Sequence, residues 1–211
     1  MTDPSPRPRA ARLWVTIGVA SLVLLASHAL EWSLLDWLTP FLLGPWFALV
    51  WLLMLGALML AVRHAWRRPW RAWLPALACV AAMAFSLLAP FERWWLWADF
   101  HGRLAARKTV IAAVQAGRLV PNVAHNPDLI ALHGTPQVSA GGNEVVVEHH
   151  RGQDYVFFYT DRGLLDHYAG YLWVGGDADP RAFDAKARGD MRTDAMSESD
   201  GKGRWYYITH R

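Results

Sequence analysis

The sequence predicts a helical membrane protein that carries a small α+β domain, with three transmembrane helices and an antiparallel sheet of about four strands. Three observations lead there. Three apolar runs of membrane-crossing length fill the first half of the chain. The basic loop Arg63-His64-Ala65-Trp66-Arg67-Arg68-Pro69-Trp70-Arg71 separates two of those runs. After Phe91 the pattern gives way to charged, turn-punctuated segments with alternating apolar residues.

Composition agrees. Of 211 residues, 54% are hydrophobic and only 18% charged, against about 25% charged in an average soluble domain. Residues 1–91 hold seven arginines and three acids, whereas residues 92–211 hold 14 basic and 15 acidic residues. The basic pI of ≈ 9.2 therefore arises in the apolar half. A nucleic-acid binder would concentrate positive charge on its folded domain, so that class is set aside. Cys79 is the only cysteine, which excludes an intramolecular disulfide.

Taken in order, residues 1–12 are rich in proline and arginine and read as a disordered tail. Residues 13–91 form the three-span region. Leu13–Leu30 carries no charge, and its length corresponds to about 27 Å of helix. A cleavable signal peptide is the rival reading, since Ser27-His28-Ala29 has the small-x-small shape of a cleavage site. Against it, the apolar stretch exceeds the usual core of about 7–15 residues, and Trp32, Leu34, Leu35, Trp37 and Leu38 continue it. Phe41–Val62 is the second span. Ala72–Phe91 is the third, with Pro75 in its first turn, where a missing amide costs nothing, and Pro90 at its end. All three must be helical, because lipid offers no partner to a free backbone amide.

Arginine placement sets the expected orientation. Arg7, Arg9 and Arg12 precede the first span and four more arginines lie in the loop, whereas Glu31–Pro40 has no basic residue. The positive-inside rule then puts the tail and the basic loop in the cytoplasm and the C-terminal part outside it. Tryptophans at both boundaries, Trp14, Trp66, Trp70 and Trp73 against Trp32, Trp37, Trp94, Trp95 and Trp97, fit the interfacial belts expected of amphipathic rings.

Residues 92–118 read as an interfacial turn, Glu92–Trp97, followed by an amphipathic helix over His101–Gly117. Leu104, Val110, Ile111 and Val114 fall on one face of that helix, with Arg103, Arg107 and Lys108 on the other. Residues 119–211 form the extracytoplasmic α+β domain. Strands are expected at Glu144–His150, Tyr155–Thr160, His167–Val174 and Arg204–Thr209, with Gly175–Gly203 as a long loop holding a short helix at Pro180–Arg188.

The order of features over 103–208 carries a resemblance. Arg107-Lys108, Ala116-Gly117-Arg118-Leu119, Leu132, the run from Ser139 to Asn143, Phe157-Phe158, Arg162-Gly163, Gly170-Tyr171 and Trp205-Tyr206-Tyr207 follow one another. In this the chain resembles an uncharacterised bacterial membrane-protein family with a small C-terminal α+β module. The resemblance covers about half of the chain and implies a fold; no known activity comes with it.

No catalytic site, metal site or cofactor is assigned. A haem between His28 and His64 would need both ligands at one depth, and they lie at opposite ends of their spans. His28 and Glu31 read as a boundary pair near an interface. His149 and His150 are adjacent in a strand and so point to opposite faces. Ser139 lacks the strand–turn–helix setting of a hydrolase nucleophile, and Gly141-Gly142 lacks the lysine of a phosphate loop. The one candidate surface binding cluster is Asp161, Arg162, Asp166, His167 and Tyr168, charged and aromatic residues at one end of the expected sheet.

The functional expectation is a multi-pass protein of the bacterial inner membrane, N-terminus cytoplasmic and C-terminus periplasmic. Its partners would be the lipid bilayer and a protein at the periplasmic face, with no nucleic acid. The role would be binding or interaction, as in an immunity or accessory protein. The alternatives are a membrane-anchored hydrolase using Asp161 and His167, and a structural subunit of a membrane complex.

Overall fold

The computed structural model describes residues 7–124, 126–133, 136–162, 168–183, 191–199 and 202–210. The chain divides into two compact units, the first ending at Ala98 and the second beginning at Asp99.

The first unit is helical: α1 (Arg7–Ala29), α2 (Glu31–Ala65), a 3-10 turn (Trp70–Trp73) and α3 (Leu74–Leu88). Among the described residues, three stretches are long and apolar enough to cross a membrane, Ala10–Ala29, Phe41–Ala65 and Trp70–Leu88. Glu31–Pro40, expected as a connection, is instead the opening of α2. Its leucines favour a helix, and nothing before Pro40 interrupts one. Each of α1, α2 and α3 packs on the other two. Small residues let them approach: Ala57, Ala61, Ala76 and Cys79 are buried with Ile17, Leu24, Val50 and Met54. One polar contact ties α2 to α1, where Trp46 Nε1 donates to Ser27 Oγ at 3.1 Å. Leu22, Leu52, Leu77 and Leu88 stay exposed on the outside. An aliphatic surface of that kind suits hydrocarbon and would drive aggregation in water.

Helix α4 (Phe91–Gln115) is continuous, so Glu92–Trp97 is helical rather than the expected turn. Its tryptophans and leucine are compatible with a helix, and no glycine or proline falls among them.

Among the described residues the second unit holds six antiparallel strands rather than about four: β1 (Leu129–Ala131), β2 (Glu144–His150), β3 (Gln153–Arg162), β4 (Tyr168–Gly175), β5 (Met191–Ser199) and β6 (Gly203–His210), with a four-residue helix α5 (Ala140–Asn143) before β2. The order across the sheet is β1-β2-β3-β4-β6-β5. The stretch expected as one long loop contains β5 and a 3-10 turn at Pro180–Ala182.

Alternation gives the sheet two apolar faces. In register, Val145, Phe158, Tyr171 and Tyr207 form one row, and Val147, Val156, Trp173 and Trp205 the next. The later part of α4 packs on this face. Phe100 sits 5.1 Å from Tyr171 and 5.3 Å from Trp205, centroid to centroid, and Val110, Ile111 and Val114 are buried.

Arg107 lies in the same stripe. Expected on the polar side of the helix, it is instead 0% exposed. Its spacing explains this: Leu104, Arg107, Ile111 and Val114 follow the three-and-four rhythm of one helix face. Its guanidinium lies 4.5 Å from the Tyr171 ring centroid. Nε donates to the Val138 carbonyl at 3.0 Å, Nη1 to the Asp99 carbonyl at 3.2 Å, and Nη2 to Asp99 Oδ2 at 2.6 Å. The second oxygen of Asp99 pairs with Arg103 at 2.8 Å. Burial pulls the Arg107 pKa below its ordinary value, and the Asp99 carboxylate opposes that shift.

The loop before β2 is fastened from both sides. Asn143, in a left-handed conformation at φ 55, accepts the amides of Val138 and Ser139 at 2.8 and 3.2 Å through Oδ1. The buried Ser139 hydroxyl accepts the Tyr159 amide at 2.7 Å, a structural role that accounts for this serine.

Two outcomes are expected. Arg107→Met strips the fork from Asp99 and the Val138 carbonyl, and should lower the stability of the sheet unit by about 3 kcal/mol or more. Arg107→Lys should recover little of this, because one ammonium cannot reproduce the planar fork. Denaturant midpoints of the full chain in detergent, followed by near-UV circular dichroism, check both. Burial also pushes the Tyr171 phenol well above its ordinary value of 10.0 and raises that of Tyr155. Above about pH 10 the unfolded chain releases phenolic protons that the folded one keeps. Stability should hold below that pH and fall above it, and Tyr171→Phe should flatten the fall.

Candidate functional site

The second face of the sheet carries Tyr155, Phe157 and Tyr159 from β3, Leu172 and Val174 from β4, and Ile208 from β6. The chain after β4 folds partly over it. Phe183 stacks on Phe157 at 5.3 Å between centroids, and the Tyr155 hydroxyl donates to the Asp179 carbonyl at 3.2 Å.

Beside that cover lies a cleft of about 160 Å³. Phe157, Tyr159, Tyr168 and Phe183 form its aromatic wall, and Asp128 and Glu148 supply carboxylates at its margin. The aromatic rings interlock edge to face, Phe157 with Tyr159 at 4.9 Å and with Tyr168 at 5.4 Å. Tyr168 is backed by His210, stacked at 5.0 Å. Alternation along β3 brings these odd-numbered rings to one side.

Gly170 lies against the Phe157 ring of that wall. A Cβ there would collide with the Phe158 carbonyl and approach Phe157 Cζ to 2.6 Å. Only a bare Cα lets the Phe157 ring lie across β4.

The polar margin is organised by short contacts. Asn126 Oδ1 accepts the Asp128 amide at 3.0 Å, a local turn that presents the Asp128 carboxylate. Glu148 Oε2 lies 2.8 Å from His150 Nε2, whereas His149 Nδ1 meets Asp154 Oδ1 at 2.7 Å. Among the described residues, no group of three histidine, cysteine or acidic side chains is placed to hold a metal.

Of the predicted cluster, Asp166 and His167 lie outside the described residues. The structure brings Arg162 and Tyr168 into register opposite each other, and Asp161 opposite Ala169. A β-bulge between Tyr159 and Asp161 produces this arrangement. Were residues 159–162 to alternate with no bulge, Arg162 would point to the α4 side with Phe158 and Thr160. With the bulge, Arg162 lies 4.0 Å from the Tyr159 ring centroid and pairs with Glu144 at 2.6 Å. Thr160 takes up the slack on the other face, its hydroxyl 3.4 Å from that of Tyr207. Sequence reasoning missed Asp128, Glu148, Phe157, Tyr159 and Phe183. The period-two aromatics Tyr155, Phe157 and Tyr159 were the available signal, and their partner Phe183 lies too far along the chain for any local pattern.

An aromatic wall with two carboxylates at its edge is suited to a cation, which gains from the ring quadrupoles and from the negative charge together. The volume matches one side chain rather than a cofactor, since small-molecule pockets run to about 300–1,000 Å³. No family model, no curated protein and no solved structure matches this chain.

Gly170→Ala should force the Phe157 ring off β4. The expected cost is about 1–3 kcal/mol, read as a lower thermal midpoint of the full chain, with altered near-UV dichroism as the rings of the cleft move.

Proposed function

We propose that this chain is an inner-membrane protein whose sheet unit acts in the periplasm as a binding module. It takes hold of a partner protein through a basic side chain inserted in the acid-edged aromatic cleft. An immunity or accessory role, in which the module meets its partner at the outer face of the membrane, fits a protein of this kind. Three helices of membrane-crossing length support the anchoring. The seven arginines of residues 1–91, all in the two segments assigned to one side, support the sidedness. The observation that carries the binding role is the cleft itself, with its four rings and with Asp128 and Glu148 at the margin.

Titration of the detergent-solubilised chain with short lysine- or arginine-bearing peptides, followed by calorimetry, tests the binding role. Basic peptides should bind and acidic peptides of equal length should not. Glu148→Gln combined with Asp128→Asn should weaken the basic peptide about tenfold, equivalent to ~1.4 kcal/mol. Equal binding of both peptide types would refute the cation reading. Sidedness is tested separately, by protease added to spheroplasts, which should digest the C-terminal unit; full protection beside a digested periplasmic control would reverse the orientation.

A further inference from the structure

The basic loop between the second and third membrane-length helices has a geometry that orientation alone does not require. Arg63, His64, Trp66, Arg67 and Arg68 line an open cavity of about 730 Å³. Arg71 follows, its guanidinium 5.8 Å from the Trp70 ring centroid. Among the described residues, no carboxylate forms an ion pair with any of these four arginines. The polar contact within the group joins two basic residues: Arg68 Nη1 lies 3.0 Å from His64 Nε2, with the guanidinium donating and the imidazole nitrogen accepting.

Arg63, Arg67 and Arg68 bring three guanidinium charges to one cavity, and an anion among them would relieve their mutual repulsion. The loop also sits at the ends of Phe41–Ala65 and Trp70–Leu88, the level at which hydrocarbon gives way to headgroups. Trp66 and Trp70 are each 70% exposed, and indoles prefer that level. We propose that this loop binds the phosphodiester of an anionic phospholipid. Arg63, Arg67 and Arg68 donate to the phosphate oxygens, and Trp66 lies against the glycerol and upper acyl chain. Guanidinium forks match phosphate oxygens in a planar, two-point geometry that an ammonium lacks. The cavity has the size of a headgroup rather than of a single ion, and the flanking indoles favour a lipid over a free phosphate.

The experiment uses the full chain purified in detergent. Native mass spectrometry counts bound phosphatidylglycerol against phosphatidylcholine at equal concentration, with and without millimolar inorganic phosphate. Phosphatidylglycerol should be retained at least tenfold better, and phosphate should not displace it. Arg67→Lys with Arg68→Lys keeps every positive charge, and so keeps the insertion signal, but removes two forks. Spheroplast protease accessibility should stay unchanged in that variant while phosphatidylglycerol retention falls at least fivefold. Equal retention of the two lipids, undiminished retention in the lysine variant, or displacement by inorganic phosphate would each overturn the proposal.

Discussion

The second unit depends on one buried guanidinium. Arg107 lies flat against Tyr171 and spends its donors on Val138 and Asp99. It therefore joins the helix, the loop before β2 and the central strands in one contact. A charge in that position costs a great deal to desolvate and stays only while every partner is in place. This requirement fixes the helix against the sheet in a single rotation. It also fixes the loop from residue 136 to 139, which Ser139 then couples to β3 at the edge of the bulge. Apolar burial makes the unit compact, and the arginine makes its arrangement unique.

The helical unit solves the opposite problem. Its core is built from alanines, a cysteine and a few larger aliphatics, and its outside is as apolar as its inside. In lipid, association cannot draw on the hydrophobic effect, so close approach and an occasional hydrogen bond must supply the preference. The Trp46 to Ser27 contact is such a bond. Arginines are kept out of this packing and gathered at the ends of the spans.

Legibility in the sequence followed how local each signal was. The three apolar runs announce themselves by length, and β2, β3, β4 and β6 by alternation and bounding turns. β1 is only three residues long, too short to show a period. β5 was hidden for another reason. It lies at the edge of the sheet, and its Arg192, Asp194, Ser197 and Glu198 give it the polarity of a loop. Charge on an edge strand discourages pairing with other chains, and the same charge disguises the strand. Arg107 was misplaced because its charge outweighed its spacing. Of the expected surface cluster, Tyr168 stands in the cleft wall and Arg162 lies opposite it in register. The rest of the aromatic wall was not legible, since Phe183 and Asp128 come from distant segments that only the fold brings beside β3.

The bulge in β3 carries a consequence for how this chain can change. Strand parity normally survives substitution of any side chain, but not the loss of a residue. Thr160 is the exception: removing it would leave Tyr159, Asp161 and Arg162 in strict alternation, opposite Gly170, Ala169 and Tyr168 as they already stand, and Arg162 would keep Glu144 as its partner. Descendants of this sequence can therefore lose position 160, and the bulge with it, without changing the face on which Arg162 lies.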